Sequence, residues 1–179
     1  MQNLTSRLKQ KLEGATRIVF LGVGSDLRGD DVAGLLLAGL LQEHVQAAGN
    51  ASPFAATVLI GGTAPENVTG DIKRFRPSHL VILDAGDMGR QPGAVGVFST
   101  ADMHGVSFST HRLPLSMLVE YLALFDKFQT ILLAIQPTSL AFGADVSAPV
   151  KTAIAKAFAA IKQALPVGVI RHPPSNSQP

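Results

Sequence analysis

Short runs of continuous apolar residues alternate along the chain with longer stretches in which apolar residues recur at helical spacing. The short runs predict buried strands: Arg17 to Val23, Ala56 to Ile60, His79 to Asp84 and Thr130 to Ile135. Val95-Gly96-Val97-Phe98 is a further short strand, placed at a sheet edge because glycine weakens it. The longer stretches predict helices at about Asp31–Ala48, Pro65–Phe75, Pro114–Phe125 and Ala148–Ala164. Thr63 and Glu66 have capping-box spacing at the start of the second of these, and Pro65 suits a first helical turn. Ahead of the first strand, Leu4, Leu8 and Leu12 stand four apart among Arg7, Lys9 and Lys11, which reads as a short helix packed on a flank.

Alternating strands and helices predict an α/β protein: a single-domain, three-layer fold with a mostly parallel five-stranded sheet and helices on both faces. The expected organisation is a flank helix in 1–16, the α/β domain in 17–165 and a disordered Pro/Ser/Asn/Gln-rich tail in 166–179. No internal repeat or linker points to a second domain.

Composition narrows this only in part. A chain of 179 residues with 46% hydrophobic content can bury one substantial core, and with no Trp and a single Tyr that core is aliphatic. The absence of cysteine removes thiol nucleophiles, thiolate ligands and disulfides, and is compatible with a reducing cytosol. The pI near 9.2 suggests a basic protein. Yet Arg7, Lys9, Lys11, Arg17 and Arg171 lie at the ends, and residues 18–170 hold ten basic and twelve acidic residues. Without a basic stripe interleaved with aromatics, no nucleic-acid partner is expected. No apolar segment reaches the roughly 20 residues that span a bilayer, so no stable membrane insertion is expected. Nor does the N-terminus read as a signal peptide, and the expected location is cytoplasmic.

The chemistry concentrates in Gly22-Val23-Gly24-Ser25-Asp26-Leu27-Arg28-Gly29-Asp30-Asp31, the loop between the first strand and its helix. A glycine-rich loop there ordinarily suggests phosphate, but three aspartates repel phosphate and attract a cation. Glycines at 22, 24 and 29 miss the dinucleotide spacing, and no lysine follows Gly29 as a phosphate loop would require. In open α/β sheets ligands gather beyond the carboxyl ends of the parallel strands. That rule gathers the first loop, Gly61-Gly62, Asp84 at the end of its strand and His111 before a helix. Asp31 opens a helix, whose free N–H groups favour its ionised form. Asp84 ends an apolar strand, where burial penalises a carboxylate unless a cation or hydrogen bonds compensate. Two carboxylates and an imidazole make a mixed oxygen and nitrogen set suited to a first-row divalent ion. Asp26 and Asp30 read as residues that cap or hold the loop. His44 and His172 read as solvated, His79 lies at the opposite edge of the sheet, and His104 lacks a helix to orient it.

An alternative from a different class is a receiver-like phosphoacceptor signalling module, using Asp30, Asp31 and Asp84 around magnesium. Against it, the acidic pair stands seven residues beyond Val23, His111 has no role, and Gln136-Pro137 occupies the place of the receiver's Lys-Pro.

Five stretches carry a resemblance: Gly22-x-Gly24 with Gly29-Asp30-Asp31-x-Ala33-Gly34; Gly61-Gly62-Thr63-Ala64-Pro65-Glu66-Asn67; Asp84-Ala85-x-Asp87-Met88-Gly89-x-x-Pro92-Gly93; Thr110-His111-x-x-Pro114-Leu115; and Ile135-Gln136-Pro137. In this order and spacing, across about 17–165, the chain resembles the hydrogenase maturation proteases, and within them the branch serving formate hydrogenlyase-type hydrogenases. The resemblance implies a metal-dependent endopeptidase that removes the C-terminal extension of a nickel–iron hydrogenase large-subunit precursor. It also implies that the nickel ion is supplied by that precursor, so that unfilled precursor goes unprocessed. The metal-contacting and catalytic residues it implies are Asp31, Asp84 and His111, the same three that gather at the sheet edge. The chain departs from the pattern at two places. Ile60 stands where the family usually has an acid before Gly-Gly, which alters the expected substrate contact, and Ser25 replaces the usual Asn.

Overall fold

The computed structural model describes residues 3–48, 53–99, 102, 115–165 and 169–170. Its centre is β1 (Arg17–Val23), which is buried beyond its first residue. Ile18 and Phe20 face one apolar layer, and Val19, Leu21 and Val23 face the other. A continuous apolar run is therefore what this strand needs, since neither of its faces meets water.

Around it, β2 (Pro53–Gly62), β3 (His79–Ala85), β4 (Val95–Ser99), β5 (Gln129–Ile135) and β6 (Val169–Ile170) complete a sheet of order β4-β5-β3-β1-β2-β6. All pairings are parallel except β4 with β5, which is antiparallel. The mostly parallel five-stranded sheet expected from the sequence is present, with β4 at the edge. β6 is an addition: Val169 and Ile170 pair with Pro53 and Phe54 inside a segment expected to have no ordered element. Their two residues are too short to give a readable pattern.

The helices are α1 (Leu4–Lys11), α2 (Ala33–Ala48), α3 (Thr69–Phe75), α4 (Leu115–Ala123) and α5 (Ala148–Ala164). Leu8 and Leu12 of the first segment join α2 and α5 in one apolar layer, so the flank helix completes that layer. Ile72 and Phe75 of α3 and Leu115, Leu118, Val119 and Leu122 of α4 cover the opposite face. The result is three layers, and among the described residues the buried core is aliphatic apart from Phe20 and Phe75.

Two helices begin differently from expectation. Short 3-10 turns, Gly29–Val32 and Pro65–Val68, precede α2 and α3. The expected capping box is not formed: Ala64 holds the cap position of the second turn, with no side-chain bond. Thr69 instead donates its hydroxyl back to the Glu66 carbonyl at 2.8 Å. The α3 helix ends at Arg76, in the left-handed region at φ 51°, ahead of Pro77.

Candidate metal-facing site at the carboxyl edge

The chain leaves β1 toward β2 on one side of the sheet and later places β3 on the other. The carboxyl ends of β1 and β3 therefore flank a topological switch point, where the connecting helices diverge and leave a crevice. Asp31 and Asp84 are both carried to this edge by their elements. Asp84 is the next-to-last residue of β3 and Asp31 lies in the 3-10 turn after β1, a turn that lies against β3.

Two glycines make that closeness possible. A Cβ on Gly34, in the first turn of α2, would stand 2.1 Å from the Leu83 carbonyl oxygen and 2.3 Å from that of Val23. A Cβ on Gly24 would stand 1.9 Å from the Asp31 carbonyl oxygen, and its φ of +133° is one that side chains rarely adopt. The helix thus docks directly on the two strand ends, and the loop folds back over the Asp31 backbone. The Gly24 N–H donates to the Gly62 carbonyl at 3.0 Å, bringing the end of β2 to the same edge.

Asp31 is 0% exposed and Asp84 1%. The Ala85 N–H donates to the Asp84 carboxylate at 2.8 Å. Buried carboxylates of this kind are retained when hydrogen bonds and a cation compensate their lost hydration. Carboxylate oxygens are the donor type that divalent ions take. His111 and His104 lie outside the described residues, as does His172. Among the described residues, no three acidic or imidazole side chains gather closely enough to hold a metal on their own.

Asp30 has a different task. Its carboxylate accepts from the backbone N–H groups of Thr138 (2.7 Å), Ser139 (3.2 Å) and Ser147 (2.7 Å), and from the Ser147 hydroxyl (2.9 Å). Burial works to raise its pKa, but these bonds outweigh it and hold the carboxyl below the usual value. One side chain so ties both ends of the β5–α5 connection to the turn that carries Asp31. Asp26 is exposed.

The receiver alternative fails on these observations. The Asp30 carboxylate is already engaged by four hydrogen bonds from the β5–α5 connection. The antiparallel edge strand and the order β4-β5-β3-β1-β2 also differ from the receiver's all-parallel 2-1-3-4-5 sheet.

Gln136 organises the loop after β3, a role its sequence position alone does not reveal. Buried just beyond β5, its side-chain carbonyl accepts from Met88 (2.8 Å) and Arg90 (3.2 Å), and its amide donates to Asp87 at 3.1 Å. The loop that follows Asp84 is therefore pinned to the end of β5. The Gly89 N–H and this Gln136 bond lower the Asp87 pKa. A buried polar residue ahead of a proline, where the flanking run is apolar, is the signal that could have marked it.

Two histidines away from the crevice are settled by packing. His79, at the amino end of β3, is buried and shares a 3.0 Å contact with the Ser78 hydroxyl through Nδ1. His44 is half-buried rather than solvated, with its ring edge-on to Phe158 at 6.0 Å between centroids. The helix–helix contact of α2 with α5 covers it, which helical periodicity in α2 alone does not show.

Known proteins place this architecture in one group. The family model for HycI, described as hydrogenase maturation protease, matches residues 37–164. The hydrogenase 3 maturation protease of Escherichia coli K12 is 38% identical over 138 residues, spanning 76% of this chain and 83% of that protein. A crystal structure of the NiFe hydrogenase maturation protease HycI from Thermococcus kodakarensis superposes with a TM-score of 0.76 at 30% identity, covering 89% of this chain and 98% of that one. The solution structure of the endopeptidase HycI from E. coli gives 0.66 at 34% identity, over 80% of this chain and 87% of that one. With the family model covering most of the α/β domain and these relatives nearly its full length, the chain belongs to the hydrogenase maturation protease family.

Proposed function

We propose that the chain removes the C-terminal extension of a nickel–iron hydrogenase large-subunit precursor, in the cytoplasm, after nickel has been inserted. In this reading Asp31, Asp84 and His111 contact the nickel that the precursor brings with it, and the enzyme carries no metal of its own. One observation carries the reading: two buried aspartates sit on separate elements at the carboxyl ends of the neighbouring strands β1 and β3. A purely structural aspartate at a helix start needs no second buried carboxylate at the neighbouring strand end.

Peptide hydrolysis adds water across the C–N bond and builds negative charge on the carbonyl oxygen. A cation held beside that oxygen lowers the cost of the charge, or lowers the pKa of the water that attacks. The chain's own residues supply position. Gly24 and Gly34 let the backbone close around the carboxylates, Asp30 fixes the turn, and Gln136 fixes the loop after Asp84. Precursor lacking nickel offers the two carboxylates nothing to engage, which makes cleavage a check on metal insertion. Removal of the extension is then the step that releases active hydrogenase.

Purified candidate precursors, with and without nickel, test this directly. Wild type should cleave only the nickel-loaded form, while Asp31→Ala, Asp84→Ala and His111→Ala should each fall below detection and keep the wild-type far-UV spectrum. Full cleavage by Asp84→Ala, or equal cleavage of nickel-free precursor, would sink the assignment.

A further inference from the structure

The loops at the carboxyl edge expose two large apolar side chains. Leu27, in the loop after β1, is 57% exposed, and Phe142, in the β5–α5 connection, is 79% exposed. Phe142 is flanked by Ala141, Gly143 and Ala144, all exposed and too small to cover a phenyl ring. Isolated apolar side chains on a surface are ordinary, but these two belong to loops joined by their backbones. The Gly143 N–H donates to the Leu27 carbonyl at 2.8 Å, and the Arg28 side chain donates to the Leu140 carbonyl at 3.3 Å.

The loops are also hydrogen-bonded within themselves. Ala141 N–H donates to the Ser139 hydroxyl at 3.2 Å and Ala144 N–H to the Ala141 carbonyl at 3.3 Å, so Phe142 tops a closed turn. The Leu27 N–H donates to the Ser25 hydroxyl at 3.3 Å. Both ends of the Phe142 loop are fastened to Asp30, the residue before Asp31. An apolar pair held rigid loses little entropy on binding, which is what a preformed contact surface requires.

We infer that Leu27 and Phe142 form an apolar clasp, continuous with the Asp31 site, that grips an apolar side chain of the polypeptide being cleaved. The inference rests on the processing role proposed above and adds to it a recognition element outside the metal-facing residues. The occupant follows from continuity. The loop that presents Leu27 leads directly into Asp31, and Asp30 locks the Phe142 loop onto the same turn. In the inferred mode, a polypeptide brought to the Asp31 turn lies along this pair, because both loops are bonded to that turn. Apolar contacts of this kind serve substrate binding, so their loss should appear in KM and not in kcat.

Steady-state cleavage of nickel-loaded precursor by wild type, Leu27→Ser, Phe142→Ser and the distant Leu124→Ser tests the clasp. Leu124 is exposed near the amino edge of the sheet, beyond the end of α4. The two clasp variants should each raise KM about tenfold at nearly unchanged kcat, the effect of losing about 1.4 kcal/mol of apolar burial. Leu124→Ser should match wild type. Wild-type KM in both clasp variants, or an equal rise in all three, overturns the clasp while leaving the processing role standing. Failure of wild type to cleave any nickel-loaded precursor overturns the processing role and the clasp with it. Sedimentation of the same four proteins covers the remaining occupant. A wild-type dimer that Leu27→Ser and Phe142→Ser dissociate would assign the pair to a second copy and overturn the inference, whereas one unchanged state across all four supports it.

Discussion

At Gly24 a single missing carbon decides whether the carboxylate loop can form. The Asp31 carbonyl oxygen occupies the space where a Cβ would stand, and the positive φ adds backbone strain for any side chain. Gly24→Ala should therefore cost at least about 2 kcal/mol in unfolding free energy. It should also lower kcat/KM by about a hundredfold, because relief of the clash displaces Asp31 by a fraction of an ångström or more. Gly39, in the interior of α2, is the contrasting case. Nothing lies within 4 Å of its added Cβ. Gly39→Ala should raise stability by about 0.5–1 kcal/mol through helix propensity alone and leave cleavage unchanged. Urea unfolding together with precursor cleavage on the two variants checks both, and a Gly24→Ala protein as active as wild type would show that the loop does not position Asp31.

At the level of elements, apolar patterning carried most of what the sequence could reveal. The bounds of β1 and α5 match the pattern, and β3 runs one residue past its expected end, because buried strands and amphipathic helices advertise themselves locally. The 3-10 turn at Gly29–Val32 was not legible, since its cause is tertiary. The Asp30 N–H donates to the Ser139 carbonyl at 3.0 Å and its carboxylate takes the N–H groups of a loop more than a hundred residues away. Periodicity sees neither bond. The same reason hid Gln136, whose partners Met88, Arg90 and Asp87 sit in a different connection. That Asp31 and Asp84 share one sheet edge was legible because strand ends in parallel sheets converge by topology. His111 falls outside the described residues. Gln136→Leu is the matching test at this scale. It leaves the Met88 and Arg90 N–H groups without their acceptor while keeping a side chain of similar volume at the end of β5. Amide exchange at Met88 and Arg90 should accelerate at least about tenfold, corresponding to about 1.4 kcal/mol for the two bonds, with the β5 core amides unchanged. Uniform acceleration across the sheet would instead mean that Gln136 supports the whole fold.

For the molecule as a whole, the sheet separates the proposed site from one source of acid sensitivity by placing them at opposite edges. The carboxylates lie beyond the carboxyl ends of β1 and β3, whereas His79 begins β3 at the amino edge. His79 is buried, and among the described residues its Nε2 meets no hydrogen-bond partner. Burial pushes its pKa below the ordinary 6.5, so the folded protein holds this ring neutral. The unfolded chain protonates it near that ordinary value. Below it the unfolded state binds more protons than the folded one, so stability is complete above about pH 6.5 and drains away as pH falls toward the folded pKa. His44 acts in the same direction, lowered first by burial and then by the positive charge of Lys162. Urea midpoints measured from pH 7.5 down to pH 5 should therefore fall for wild type. His79→Gln, neutral throughout this range, should give a shallower slope whatever its absolute stability, and the slope that persists should contain the His44 share. Parallel curves for the two proteins would mean that His79 accepts its proton in the folded state as readily as in the unfolded one. Because this ring lies at the edge away from the crevice, His79→Gln should change the acid limit of stability while leaving KM and kcat for precursor cleavage at neutral pH where they were.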